Sequence, residues 1–139
     1  MKNLGITILF AIITFGGFAQ QQEGVTVTLT IENVLNDSGT ILASLHTRDS
    51  FMKGPGIANT MTKAETGETV LTFENIVPGT YAIMVLHDAN DNKQMDFDET
   101  NMPKEHYATS GDMNPYGPPT FDGAKFVVSE KNLDLTLRF

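Results

Sequence analysis

The sequence predicts an all-β protein, a seven-stranded antiparallel β-sandwich of the immunoglobulin-like or transthyretin-like type. Seven short segments alternate apolar and polar residues with a period of two, which is typical of strands that bury one face. Turns rich in Gly, Pro, Asn and Asp separate most of these segments. The rest of the sequence shows no strong helical period and no Gly-rich phosphate loop, so two packed sheets are the expected architecture.

The first two predicted strands, residues 24–34 and 40–47, form a hairpin. Each alternates aliphatic residues with polar ones, so each has one face suited to a core. The Asn-Asp-Ser-Gly sequence between them, residues 36–39, is a cluster of turn-forming residues. A loop containing Gly-Pro-Gly follows, and the third predicted strand, residues 57–66, is polar enough to be expected at a sheet edge.

The fourth and fifth predicted strands, residues 69–76 and 80–87, flank a Pro-Gly turn in which Pro fixes φ and Gly permits a positive φ. The fifth strand is apolar on both of its faces, with Tyr81, Ile83 and Val85 on one and Ala82, Met84 and Leu86 on the other. A strand of this kind is covered on both sides, so we predict that it lies at the centre of a sheet.

Residues 88–120 form a long connection before the sixth and seventh predicted strands, at 123–129 and 133–139. A loop of this length without secondary structure is uncommon in a compact domain, and it is usually functional when it occurs. We expect an ordered flap along the sandwich. Its aromatic residues either pack the flap down or present a ligand surface; they are Tyr107, Tyr116 and Phe121.

The beginning of this connection has the ligand spacing of a calcium-binding loop. Calcium takes about six to eight oxygen ligands from carboxylates, amides, backbone carbonyls and water. Oxygen-bearing side chains occupy alternate positions after the fifth strand, and the count starts at Asp88 as position one of a twelve-residue loop. We therefore predict a calcium site whose ligands are Asp88, Asn90, Asn92, Gln94 through its backbone carbonyl, Asp96 and Glu99.

Two features of this loop differ from an EF-hand. Position six, which is usually Gly, is Lys93, and the residues before the loop predict a strand instead of a helix. We interpret the segment as a calcium loop that leaves a β-strand, with either Asp98 or Glu99 closing the site. The alternative is a polar, solvated loop, because Asp and Asn are also favoured in turns.

The N-terminus has the features of a secretory signal peptide. Lys2 precedes an apolar run at residues 4–15, and the Gly-Phe-Ala sequence that ends at Ala19 offers small residues at a cleavage site. We expect residues 1–19 to be removed and residues 20–139 to form one domain, exported to the periplasm or the medium. No other segment is long and apolar enough to span a membrane.

Composition limits the partners of the mature chain. Eight basic residues against 17 acids leave a net charge of −9, which disfavours nucleic acid and anionic membranes. The chain has no Cys, so an exported domain of this sequence has no disulfides. A bound cation would supply stability instead, about 2.7 kcal/mol at a free concentration of 100 times the dissociation constant. We expect the protein to be a monomer.

Several segments of the sequence resemble those of a known family. Residues 73–88 resemble the strand–turn–strand signature of transthyretin-like and carboxypeptidase-regulatory-like modules. Together with residues 87–96, 102–107 and 116–121, they make nearly the whole mature chain similar to the exported bacterial family called domain of unknown function (DUF) 2141. Members commonly carry Gly where Lys93 and His106 stand. The resemblance implies an exported single domain and no established activity.

These observations leave three functional hypotheses. The first is an exported, non-catalytic module with a calcium-ordered acidic loop, which binds a carbohydrate, a peptide or a component of the cell envelope, or has a structural role there. The second is a metal-dependent hydrolase in which His46, His87 and Asp88 converge at one end of the sandwich around a metal such as zinc. Their spacing matches no metalloenzyme motif, and no serine lies in a nucleophile elbow. The third is a structural module with a solvated loop.

Overall fold

The computed structural model describes residues 23–111 and 116–139, so the predicted signal peptide lies outside the described residues. The elements are β1 (Val25–Val34), β2 (Thr40–His46), β3 (Ala58–Lys63), β4 (Gly67–Ile76), β5 (Gly79–Asp88), β6 (Tyr107–Thr109), the short helix α1 (Phe121–Ala124), β7 (Phe126–Val128) and β8 (Leu133–Arg138). The protein is therefore all-β, as predicted. Across the two described ranges, no helix has both the length and the apolar character that crossing a lipid bilayer requires.

The strands form two sheets. The smaller sheet has the order β4–β1–β8, and the larger one has the order β3–β2–β5–β6, with β7 also paired to β5. β8 runs parallel to β1, while the other pairs are antiparallel. The prediction of an entirely antiparallel sandwich is wrong at this pair, because an alternation of apolar and polar residues marks a buried face without indicating the direction of the neighbouring strand.

Two further details of the prediction are wrong. β6 lies inside the connection that we expected to be free of strands, and it pairs with Met84–Leu86 of β5, so the described residues contain eight strands instead of seven. Three residues are too few to show a period. The sixth predicted strand also begins later than expected, since Phe121–Ala124 form one helical turn whose N-cap, Thr120, accepts the backbone N–H of Gly123 at 3.2 Å.

The main core lies between the two sheets. The aliphatic residues that alternate along β1, β2 and β5 in the sequence point inward, which confirms the period-two predictions for these strands. The leucines of β8 are half-buried against this core. The largest completely buried aliphatic side chains are Val27, Leu29, Ile31, Ile41, Leu45 and Ile83.

A second apolar cluster covers part of the outer face of β5. Phe51, from the loop after β2, and Phe121, from α1, pack there on Ala82. The guanidinium of Arg48 lies 4.9 Å from the centroid of the Phe121 ring and donates two hydrogen bonds, of 2.9 and 2.6 Å, to the carboxylate of Asp122. β5 is thus buried on its inner face and covered at Ala82 on its outer face, where Met84 and Leu86 are half-buried, and it lies inside the larger sheet as predicted.

The burial pattern predicts that a core residue of β5 contributes far more to stability than an exposed residue of the neighbouring strand β7. Replacing the completely buried Ile83 with Ala should lower the free energy of unfolding by about 2–5 kcal/mol, because the change leaves a cavity between the sheets. The matched control, Val127→Ala on β7, removes a side chain that is 70% exposed and should change stability by less than about 0.5 kcal/mol. Urea denaturation measures both, and equal losses would contradict the assignment of the core.

Candidate functional site

The site is built on Asp88, the last residue of β5, whose side chain is completely buried. The turn between β1 and β2 covers it. A Cβ atom at Gly39 in that turn would clash with the carbonyl oxygen of Asp88, and Gly39 has a φ of 69°, which favours glycine. In the same turn the carbonyl oxygen of Ser38 lies 2.8 Å from Nε2 of His87. The turn also crosses from the smaller sheet to the larger one, since β1 pairs with β4 and β8 whereas β2 pairs with β3 and β5. The prediction that the first two strands form a hairpin is therefore wrong, because alternation marks the buried face of a strand without showing which strand it pairs with. The turn covers the end of β5.

The carboxylate of Asp88 is satisfied by the backbone of the loop that follows it. Oδ1 accepts the N–H of Asn92 at 3.1 Å, and Oδ2 accepts the N–H of Lys93 at 2.7 Å. In residues 23–111 and 116–139, no Lys, Arg or His side chain forms an ion pair with this carboxylate. Burying a charge is costly unless it is paired. Each oxygen of Asp88 thus accepts one hydrogen bond, but neither donor brings a formal positive charge.

The side chains of Asn90, Asn92 and Asp96 meet within the loop. Nδ2 of Asn90 donates to Asp96 at 2.6 Å, and Nδ2 of Asn92 donates to the same carboxylate at 3.0 and 3.1 Å. Oδ1 of Asn90 accepts the N–H of Asn92, and Oδ1 of Asn92 accepts the N–H of Gln94. The structure thus joins Asp88, Asn90, Asn92 and Asp96, four of the six predicted ligands, in one hydrogen-bonded network.

The other two predicted ligands lie at the margin of this network. Gln94 joins it through its backbone N–H. Glu99 is exposed, and its carboxylate makes no hydrogen bond with the part of the chain that the structure describes. Asp98, the alternative closing residue, instead accepts the N–H groups of Met102 and Thr100 and the hydroxyl of Thr100. These hydrogen bonds, with the one from Met102 first, lower the pKa of Asp98 and fix a local turn.

Glu105 is a residue of the site that the sequence did not reveal. Its Oε1 accepts the N–H of Ala89 and its Oε2 accepts the N–H of Asp96, each at 3.2 Å. The carboxylate therefore ties the start of the loop to its far side. Glu105 lies outside the twelve-residue window of the ligand pattern. The chain returns beside the loop through the bridge of Phe97 with Pro103, the hydrogen bond from Lys104 N–H to the carbonyl of Asp96, and the pairing of β6 with β5, none of which sequence spacing indicated.

The chemistry of this network limits what it can bind. No group of three or more His, Asp or Glu side chains is arranged as a metal site in the described residues, and the network itself contains two carboxylates, those of Asp88 and Asp96. Any cation would therefore also need amide and carbonyl oxygens, which calcium accepts. Rotating the amide of Asn90 or Asn92 by 180° exchanges its oxygen and nitrogen and turns the oxygen toward Asp96.

The histidines do not converge as the hydrolase hypothesis requires. The register between β2 and β5 places His46 and His87 five residues apart along the strands, about 17 Å at ~3.4 Å per residue. They also face opposite sides of the sheet, because the ring of His87 stacks on Phe139 while that of His46 packs edge-on against Phe51. His106 lies near His87, on the same Phe139 ring.

Removing the carboxylate of Glu105 should measurably loosen the loop that follows β5. Glu105→Ala removes two hydrogen bonds, so we expect a loss of about 1 kcal/mol in the free energy of unfolding and faster amide exchange at Ala89 and Asp96. Glu99→Ala removes an acid from the same loop without a hydrogen-bond partner and is the matched control. Equal exchange rates in the two variants would show that Glu105 does not hold the loop.

His46 should make stability depend on pH. Burial lowers the pKa of His46, and the contact with Ser50 offsets this only in part. Between the lowered pKa and the unfolded value of about 6.5, the unfolded chain binds more protons, so stability falls as the pH drops through this window. Unfolding free energies measured from pH 7 to pH 5 should fall less steeply in His46→Gln than in the wild type. Identical slopes would contradict this assignment.

Comparison with known proteins identifies a family. The profile of the family described as "Uncharacterized protein conserved in bacteria (DUF2141)" matches residues 29–136, which include most of β1 and every later strand up to Thr136 of β8. Searches of curated proteins and of solved structures give no significant match. The family description states no activity, so the function has to be argued from the site. Because the profile covers well over half of the sequence, the chain belongs to the DUF2141 family.

Proposed function

We propose that this protein is an exported, non-catalytic β-sandwich module in which calcium orders the acidic loop at residues 88–105. The sandwich then has a binding or structural role in the cell envelope. The observation that carries the proposal is the carboxylate of Asp88, which is completely buried and has only neutral hydrogen-bond donors as described partners. A divalent cation next to this carboxylate would compensate the buried charge.

The charge of the loop favours the same ion. Residues 88–99 contain five acids against one base, Lys93, and like charges at this density repel one another without a counterion. The proposed ligands are the side-chain oxygens of Asp88, Asn90, Asn92 and Asp96, the carbonyl oxygen of Gln94, and the carboxylate of Glu99. Glu99 is included because of its place in the spacing pattern. Its side chain is exposed, so we expect it to contribute least to binding of the ion.

Export and the lack of catalysis rest on separate observations. The apolar run and cleavage signal before Gln20 support export. The separation of His46 from His87 leaves the hydrolase hypothesis without a metal-binding cluster. Ser110, a buried hydroxyl, donates to the carbonyl of Ala124 at 2.6 Å and accepts the N–H of Ile83 at 2.8 Å, so it is engaged in holding the fold.

Calcium should raise the melting temperature of the mature protein. At 100 times the dissociation constant, the expected gain is about 2.7 kcal/mol, or roughly 10 °C for a domain of this size. Asp96→Ala should abolish the shift, because it removes the carboxylate at the centre of the ligand set. Asp134→Ala, which removes an exposed acid on β8, should retain it and controls for net charge.

Two results of this titration would refute the calcium proposal. One is a wild-type melting temperature that is the same in calcium and in a chelator. The other is a calcium shift of equal size in Asp96→Ala and Asp134→Ala, which would reflect general screening of acidic charge. Either result would leave the third hypothesis, a solvated loop held together by its own hydrogen bonds.

A further inference from the structure

The outer face of the larger sheet carries an open groove. It crosses β2 and β5 and is bounded by the loop after β2 and by residues 93–95. Its two adjoining parts have volumes of about 330 and 590 Å³ and share Leu42, Ser44 and Lys93. Volumes of this size are typical of small-molecule sites, about 300–1,000 Å³. The apolar side chains of the groove include Leu42, Leu86, Met52, Met61, Met84 and Met95.

The charge of the groove differs from that of the whole protein. The chain has 17 acids and nine bases, yet none of the described residues that line the groove is Asp or Glu, and Lys93 is the one Lys or Arg among them. The ammonium group of Lys93 forms no hydrogen bond or ion pair with the described residues. An apolar surface with one unpaired cation complements a ligand that has an apolar body and one negative charge.

The backbone at both ends of the groove is strained. Six non-glycine residues in the described ranges have a positive φ, and four of them are Asn or Asp, which tolerate this conformation. The other two are Met52, with φ 59°, and Lys93, with φ 61°. Both residues line the groove. Met52 follows the C-terminal end of β2 and Lys93 follows the C-terminal end of β5, and because these strands are antiparallel the two residues lie at opposite ends of the groove. Strain of this kind clusters at ligand-binding sites.

The position of Lys93 is fixed by the buried end of β5. Its backbone N–H donates to Oδ2 of Asp88 at 2.7 Å, which holds the residue in the left-handed conformation. Glycine at this position would avoid the strain, but it would also remove the ammonium group from the groove. The backbone conformation therefore does not explain a lysine here, whereas a negatively charged ligand at its ammonium group would.

We propose that this groove binds a free medium-chain fatty acid, with the carboxylate at the ammonium of Lys93 and the hydrocarbon chain along β2 toward Met52. Leu42 and His46 lie four residues apart on β2, about 14 Å, which is close to the reach of an extended chain of about ten carbons. The methionines suit such a chain, because their flexible side chains adapt to an apolar ligand. This inference names a ligand class for the binding role proposed above, but it requires no calcium.

Calorimetric titration of the mature protein with decanoate, in the presence of a chelator, tests the inference. We expect saturable binding of one decanoate, and binding at least about fivefold weaker for decanol and decylammonium, which lack the negative charge. Lys93→Gln should weaken decanoate binding about fivefold and leave decanol binding unchanged. Lys93→Arg should retain the affinity, and Lys104→Gln, which removes an exposed lysine outside the groove, is the control.

A variant that fills the groove tests the apolar part. Ser44→Trp, on the outer face of β2, should abolish decanoate binding, whereas Val127→Trp on the exposed face of β7 should not. Absence of saturable decanoate binding, equal affinity for all three ligands, or equal effects of Lys93→Gln and Lys104→Gln would overturn the inference. The chelator separates this test from the calcium titration, so either proposal can fail while the other stands.

Discussion

The buried carboxylate of Asp88 is the group on which the arrangement of the loop depends. β5 packs into the core through its inner face and is hydrogen-bonded to β2, β6 and β7, so it holds Asp88 at the end of the larger sheet. There the carboxylate accepts the N–H groups of Asn92 and Lys93 and draws the chain into a tight turn. Charge that is removed from water must be compensated locally, and this requirement connects the core of the fold to the chemistry of the loop.

The loop has two sides, and the two proposals use one side each. Its acid and amide groups, centred on Asp96, form the network that suits a cation. On the other side, Lys93 reaches the groove over the larger sheet. One of the two departures from the calcium-loop pattern, a lysine where glycine is usual, thus has a physical explanation: the same hydrogen bond to Asp88 closes the turn and positions a positive charge. Calcium and a fatty acid would then bind on either side of one short segment.

Alternation of apolar and polar residues predicted most of the fold, because burial of one face leaves a direct record in the sequence. It located Ile83 and Val85 in the core and identified the fifth strand as central. Alternation could not show that β8 is parallel to β1, because the direction of a neighbouring strand leaves no such record. It also could not show that the three residues Tyr107–Thr109 extend the larger sheet. These features are set by tertiary pairing.

Spacing predicted the contacts within the loop to a similar extent. Asp88, Asn90, Asn92 and Asp96 meet because a tight turn brings alternate side chains to one side. Glu99 stays outside because the chain turns away at Asp98, whose carboxylate binds the backbone of the next residues. Glu105 joins from beyond the pattern because the chain returns to the loop at Pro103 and Lys104 and then pairs with β5 through β6. Local spacing therefore predicted which side chains meet within the turn, and it missed Glu105, which returns to the loop from outside the pattern.

The most direct test of the calcium site is a crystal structure of the mature protein grown with calcium, with anomalous scattering from the ion measured at long wavelength. The account predicts one anomalous peak about 2.3–2.6 Å from side-chain oxygens of Asp88, Asn90, Asn92 and Asp96, with both asparagine amides turned so that their oxygens face the ion. A map without that peak, in which the amide nitrogens of Asn90 and Asn92 still donate to Asp96, would contradict it.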